Sequence, residues 1–183
     1  MTNLLPTKEQ IETALKLAKG RWQRFVVKYG YTIIGGYAAY WSGRYTRSLH
    51  RLCRRLREAG IEARAFVDKG NFTYYLLIGD EWAKLVDRVE AVMSPASIVY
   101  AELESKKFPR EVEKVLRQLK LRKKLRSFLH TCKNTLTAIG DNYGNSLRGY
   151  CKPEEAYQEV LPRIEEVERV WNEMKDWVGV LLL

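Results

Sequence analysis

Tyr31 to Tyr40 reads Y-T-I-I-G-G-Y-A-A-Y, and the conformation assigned to this stretch decides the fold. β-Branched Thr32, Ile33 and Ile34 favour a strand, and the Gly35-Gly36 pair would end it or admit a close backbone approach. As a strand it opens the series strand, helix, strand, strand, helix, strand over residues 31–104. That order predicts an α+β protein of the ferredoxin-like split βαβ type, a small antiparallel sheet with two helices on one face. If residues 31–43 were helical instead, a helix–hairpin–helix unit would remain.

The segment that follows, Arg44 to Gly60, reads R-Y-T-R-S-L-H-R-L-C-R-R-L-R-E-A-G. At 100° per residue, Tyr45, Leu49, Leu52, Cys53 and Leu56 share one stripe. Arg44, Arg47, Arg51, Arg54 and Arg55 share the opposite one, and Glu58 is the only acid in the segment. Like charges one turn apart repel by roughly a few tenths of a kcal/mol per pair, so a solvated helix face normally mixes signs. A face of arginines alone makes sense if a polyanion lies against it; the plainer reading is a generally basic surface with no partner. Gly60 suits the helix C-terminus.

Further on, I-E-A-R-A-F-V-D and F-T-Y-Y-L-L-I-G flank Lys69-Gly70-Asn71 and predict a β-hairpin. Asp80 caps a helix carrying Trp82, Leu85, Val86, Val89 and Val92, which Ser94-Pro95 is expected to close. I-V-Y-A-E-L-E (98–104) alternates like a last strand. Upstream, Thr7 with Gln10 forms a capping-box pattern for an N-terminal helical segment over 1–30. Downstream, 105–183 predicts a helical hairpin packed on the α+β domain of 31–104. Its apolar stripe jumps by about half a turn near Lys120, its G-D-N-Y-G-N-S-L-R-G-Y (140–150) has a loop composition, and Pro162 should kink its last helix.

The K-L-R-K-K-L-R run at that jump supplies a second basic patch, Lys120, Arg122, Lys123, Lys124 and Arg126. Charge is segregated along the chain. Residues 16–60 hold eleven Lys/Arg against one acid and 105–133 hold eleven against two, whereas 153–183 are net −5, within a total of +10. Two basic blocks are the electrostatic footprint of a phosphate-binding surface. With about six phosphates neutralised, the log–log salt slope on duplex DNA would be near −5. Tyr74 and Tyr75 lie mid-strand and point to opposite sheet faces, so Tyr74 is a candidate for stacking a base.

K-G-N-F-T-Y-Y-L (69–76) resembles the third-strand signature of RNA-recognition motifs, interrupted by Asn71. Residues 44–92 resemble the second half of a LAGLIDADG homing-endonuclease unit, without the acidic residue that binds metal there. Neither likeness covers half of the chain, and no family is assigned on them.

The expectation is a DNA- or RNA-binding protein without evident catalysis. A second reading is an assembly protein that forms homo-oligomers through its acidic C-terminal helix. A third is a metal-free nuclease using His50 as acid or base. No cofactor or metal is expected, since two histidines and three scattered cysteines give no ligand spacing and no phosphate-loop motif is present. The sparse cysteines fit a reducing cytoplasm, the composition would suit a thermophile, and no apolar run is long enough to cross a membrane.

Overall fold

The computed structural model describes residues 4–36 and 41–182. The protein is α+β and mostly helical, with seven helices and one three-stranded antiparallel sheet among the described residues. In chain order these are α1 (Lys8–Leu17), α2 (Gly20–Tyr29), β1 (Tyr31–Ile33), α3 (Arg44–Glu58), β2 (Ala63–Asp68), β3 (Thr73–Ile78), α4 (Asp80–Ser105), α5 (Arg110–Leu119), α6 (Leu121–Leu147) and α7 (Pro153–Leu182). Two compact units are present: Met1–Val86 with Thr137–Val160, and Asp87–Leu136 with Leu161–Leu183.

In the first unit, the capping box forms as expected. Thr7 Oγ1 accepts from the Gln10 backbone, and Gln10 Oε1 accepts from the Thr7 backbone. The 20–29 stretch is helical, and Gly30 ends it in the left-handed region at φ 84°. The deciding stretch starts as a strand, β1, although Tyr37–Tyr40 lie outside the described residues.

Strand order is β1-β3-β2, with Tyr31 opposite Tyr75 on one side of β3 and Phe66 opposite Tyr75 on the other. The middle strand β3 is buried along its whole length. Tyr74, Leu76 and Ile78 face the core shared with α1, α2 and α3, which includes Val26, Val27, Leu49, Leu52 and Leu56. Tyr75 faces the opposite way, onto α6.

That second face corrects the expected loop at 140–150. Helix α6 continues through Gly140 and Gly144 to Leu147. A Cβ at Gly140 would lie 2.4 Å from Cδ1 of Tyr75, and one at Gly144 would lie 2.3 Å from Cδ1 of Tyr31. The glycines sit inside a helix because two tyrosine rings lie against its backbone. Their composition mimics a loop; their function is close approach.

The expected fourth strand is also corrected. Residues 98–104 belong to α4, and Pro95 lies inside that helix rather than closing it. From Val89 onward its buried positions are Val89, Val92, Ala96 and Leu103, spaced at helical intervals. The apparent alternation at 98–104 is a short sample of that longer period. In the second unit the jump in apolar stripe is a true break: Lys120 adopts φ 51° between α5 and α6. Pro162 lies within α7. No helix among the described residues is long and apolar enough to cross a membrane.

Candidate nucleic-acid interface

Helix α3 follows Gly43, whose left-handed φ of 66° turns the chain into it, and Ser42 Oγ accepts from the Arg44 backbone N–H at 3.3 Å. Leu49, Leu52, Cys53 and Leu56 are buried against the core. Their burial fixes the rotation of the helix, and so fixes what it presents outward. Arg44, Arg47, Arg51 and Arg54 are all exposed on the opposite side, together with His50. At about 1.5 Å of rise per residue, these four guanidinium groups span roughly 15 Å of helix axis.

Among the described residues, no carboxylate pairs with any of the four, and no side-chain hydrogen bond compensates them. The guanidinium of Arg47 folds back over Gly43, where a Cβ would meet its Nη1 at 2.9 Å. Nothing among the described residues orients the imidazole of His50. Lys16, Lys19, Arg21, Arg24 and Lys28 are further exposed cations of the same unit.

Arg55 is placed differently from its stripe neighbours. It is half-buried, donating from Nε to the Leu17 carbonyl at 3.2 Å and from Nη2 to Gln23 Oε1 at 2.7 Å. Gln23, itself buried, donates to Ser48 Oγ at 2.8 Å. This network ties the end of α1 to α2 and α3. Arg55 is thus committed to the fold and not available to a phosphate in this arrangement.

Tyr74 is a plain correction: it is fully buried, with Trp22 and Tyr45 packed around its ring at centroid distances of 5.7 and 6.1 Å. Tyr75 is buried as well, and its hydroxyl donates to Asp141 Oδ1 at 2.6 Å. Burial, with a smaller contribution from Asp68, raises the Asp141 carboxyl above its ordinary range, while the Tyr75 hydrogen bond opposes the shift. Asp68 accepts from Gly70, Asn71 and Thr137 and closes the β2–β3 turn. These carboxylates brace the sheet.

The second basic patch lies in the second unit, and its members separate into two groups. Arg122 is bidentate to Glu113 at 2.9 and 3.1 Å and also donates to the Leu103 carbonyl. That hydrogen-bonded pair holds Glu113 below the usual carboxylate range. Arg126 donates to the Tyr100 hydroxyl at 3.1 Å and pairs with Glu104 at 3.9 Å. Lys120, Lys123 and Lys124 instead line a groove of about 780 Å³ together with Phe128, Val167 and Trp177.

Trp171 stacks on Phe128 with ring centroids 6.0 Å apart, whereas Trp177 is 61% exposed. Burial pushes the Cys132 thiol up to about 12 and raises that of Cys53, so neither is a poised nucleophile. No cluster of three or more metal-ligating side chains occurs among the described residues. Compared with known proteins, the chain matches no family model, no curated protein and no solved structure.

Proposed function

We propose that the protein binds nucleic acid, DNA or RNA, through phosphate contacts from Arg44, Arg47, Arg51 and Arg54. The observation that carries this reading is the alignment of four exposed guanidinium groups along α3 without an acidic partner among the described residues. A dense line of anions relieves the mutual repulsion along such a row, and the phosphate backbone is the common biological example. Arginine suits it through its planar, always-charged donor fork. Contacts of this kind position the ligand and carry no base readout. In fold terms, we read β1, α3, β2 and β3 as part of a split βαβ arrangement and α6 with α7 as its helical hairpin. Three free cysteines fit a reducing compartment.

The test is fluorescence anisotropy with short DNA and RNA probes across a salt series. Four phosphates neutralised give a log–log slope of about −3.6 on a duplex and about −2.8 on a single strand. A slope near zero on every probe sinks the reading. Arg55→Ala is the internal control. It should leave the slope unchanged while costing about 1–3 kcal/mol of stability, because it removes a charged hydrogen-bond donor from buried Gln23 and from the Leu17 carbonyl.

A second reading rests on the groove of the second unit, with a second copy of this chain as its occupant. Lys120, Lys123 and Lys124 line one side; Glu166 and Glu173 line the other, with Arg169 bridging both glutamates and leaving that side net negative. Under a two-fold axis the basic side of one copy meets the acidic side of the other, twice, across an apolar floor that includes exposed Trp177. Sedimentation velocity should then show a dimer at about micromolar concentration that Trp177→Glu dissociates. A wild-type chain that stays monomeric throughout excludes it.

A further inference from the structure

The arginine face has an aromatic neighbour that the charge pattern does not reveal. Trp41 is 75% exposed, in contrast to the fully buried Trp82. It lies two residues before Gly43, which precedes α3, and three before Arg44. Consecutive Cα atoms are about 3.8 Å apart, so the Trp41 Cα lies within about 8 Å of the Gly43 Cα. The guanidinium of Arg47 folds back over that same glycine. Trp41 and Arg44 therefore lie within three residues of one another at the N-terminal end of α3, the end over which the Arg47 guanidinium folds.

We propose that Trp41 is a stacking platform for an unpaired base, which makes the preferred ligand of the arginine face a single strand; this rests on the nucleic-acid reading above. Tryptophan is a residue usually well buried, because its large ring gains much from leaving water. An exposed indole at the end of a cationic row matches what a single strand needs: cations for the backbone and a flat face for a base. A duplex cannot use it in the same way. Its bases are already stacked on one another, and freeing one costs pairing and stacking. The arginines attract either form; the indole distinguishes them.

The experiment compares a short oligothymidylate strand with a duplex of equal length, using the full chain at fixed salt. Trp41→Ala should weaken the single strand by about ten-fold or more and change the duplex by less than about two-fold, with Trp41→Phe recovering most of the loss. The melting temperature of Trp41→Ala should match that of wild type, since the ring is mostly in solvent. Equal losses on both probes, or no loss on the single strand, overturn the inference while salt-dependent binding leaves the arginine face standing. Absence of salt-dependent binding to either probe overturns both together.

Discussion

Changing Arg47, Arg51 and Arg54 together to Glu should reduce nucleic-acid affinity by at least about 100-fold at moderate salt and flatten the salt slope by about three. On the proposed reading, each substitution would remove a phosphate contact and replace it with repulsion. A single charged hydrogen bond is worth about 1.5–3 kcal/mol, so three lost contacts bring binding to the limit of detection. The fold should not notice. All three side chains are exposed and the stripe that holds α3 in place is on its other side. Circular-dichroism melting should show a change within about 0.5 kcal/mol, or a slight gain as the row of like charges is broken up. Substituting Lys at the same three positions separates charge from geometry, and a large part of the affinity should survive it. Unchanged binding by the Glu variant would remove α3 from the interface.

The second large effect is on stability. Gly140→Ala and Gly144→Ala should each cost about 2–3 kcal/mol, lowering the melting temperature by roughly 5–10 °C. In an ordinary helix interior the same change stabilises by about 1 kcal/mol, because alanine is the better helix former. Here the added methyl would sit 2.4 Å from the Tyr75 ring or 2.3 Å from that of Tyr31. Neither ring can retreat cheaply. Tyr75 is buried, stacked on Phe66 and bonded to Asp141; Tyr31 bonds Asn145 and lies under the guanidinium of Arg148. Gly179→Ala is the matched control, since a Cβ there meets nothing within 4 Å. It should be neutral or stabilising. If all three behave alike, close approach is not why α6 carries its glycines.

The contrast between these glycines and the arginines also shows what the sequence could convey. Helix α3, the β2–β3 hairpin, the Thr7 capping box and the half-turn jump of the apolar stripe near Lys120 are legible because each is decided by neighbours within a turn or two. Seven residues of alternation at 98–104 are too short to distinguish a period of 2.0 from one of 3.6, which is why the pattern points to a strand where the chain is helical. Gly140 and Gly144 looked like a loop because their reason lies in Tyr75 and Tyr31, far away in the chain. Arg55 illustrates the same limit within the candidate site. Its position on the helix puts it with the exposed arginines, and only the packing of Gln23 and Leu17 beside it turns it inward. Tyr74 and Tyr75 were correctly set on opposite faces, but alternation says nothing of whether either face is covered.

The order in which the two faces of the sheet are covered has a consequence for the nascent chain. Everything in the core that holds Tyr74, from Ile11 to Ile78, has been synthesised once β3 is complete. The α6 partners of Tyr31 and Tyr75 have not, because the first unit is resumed only at Thr137 after the stretch Asp87–Leu136. At about 5–20 residues per second, the ribosome needs roughly 3–13 s to travel from Tyr75 to Gly140. For that interval a sheet face bearing Tyr31, Phe66 and Tyr75 waits without its helix. If the chain folds during synthesis, one face can close early, and the other can be sealed only after Gly140 and Gly144 leave the exit tunnel.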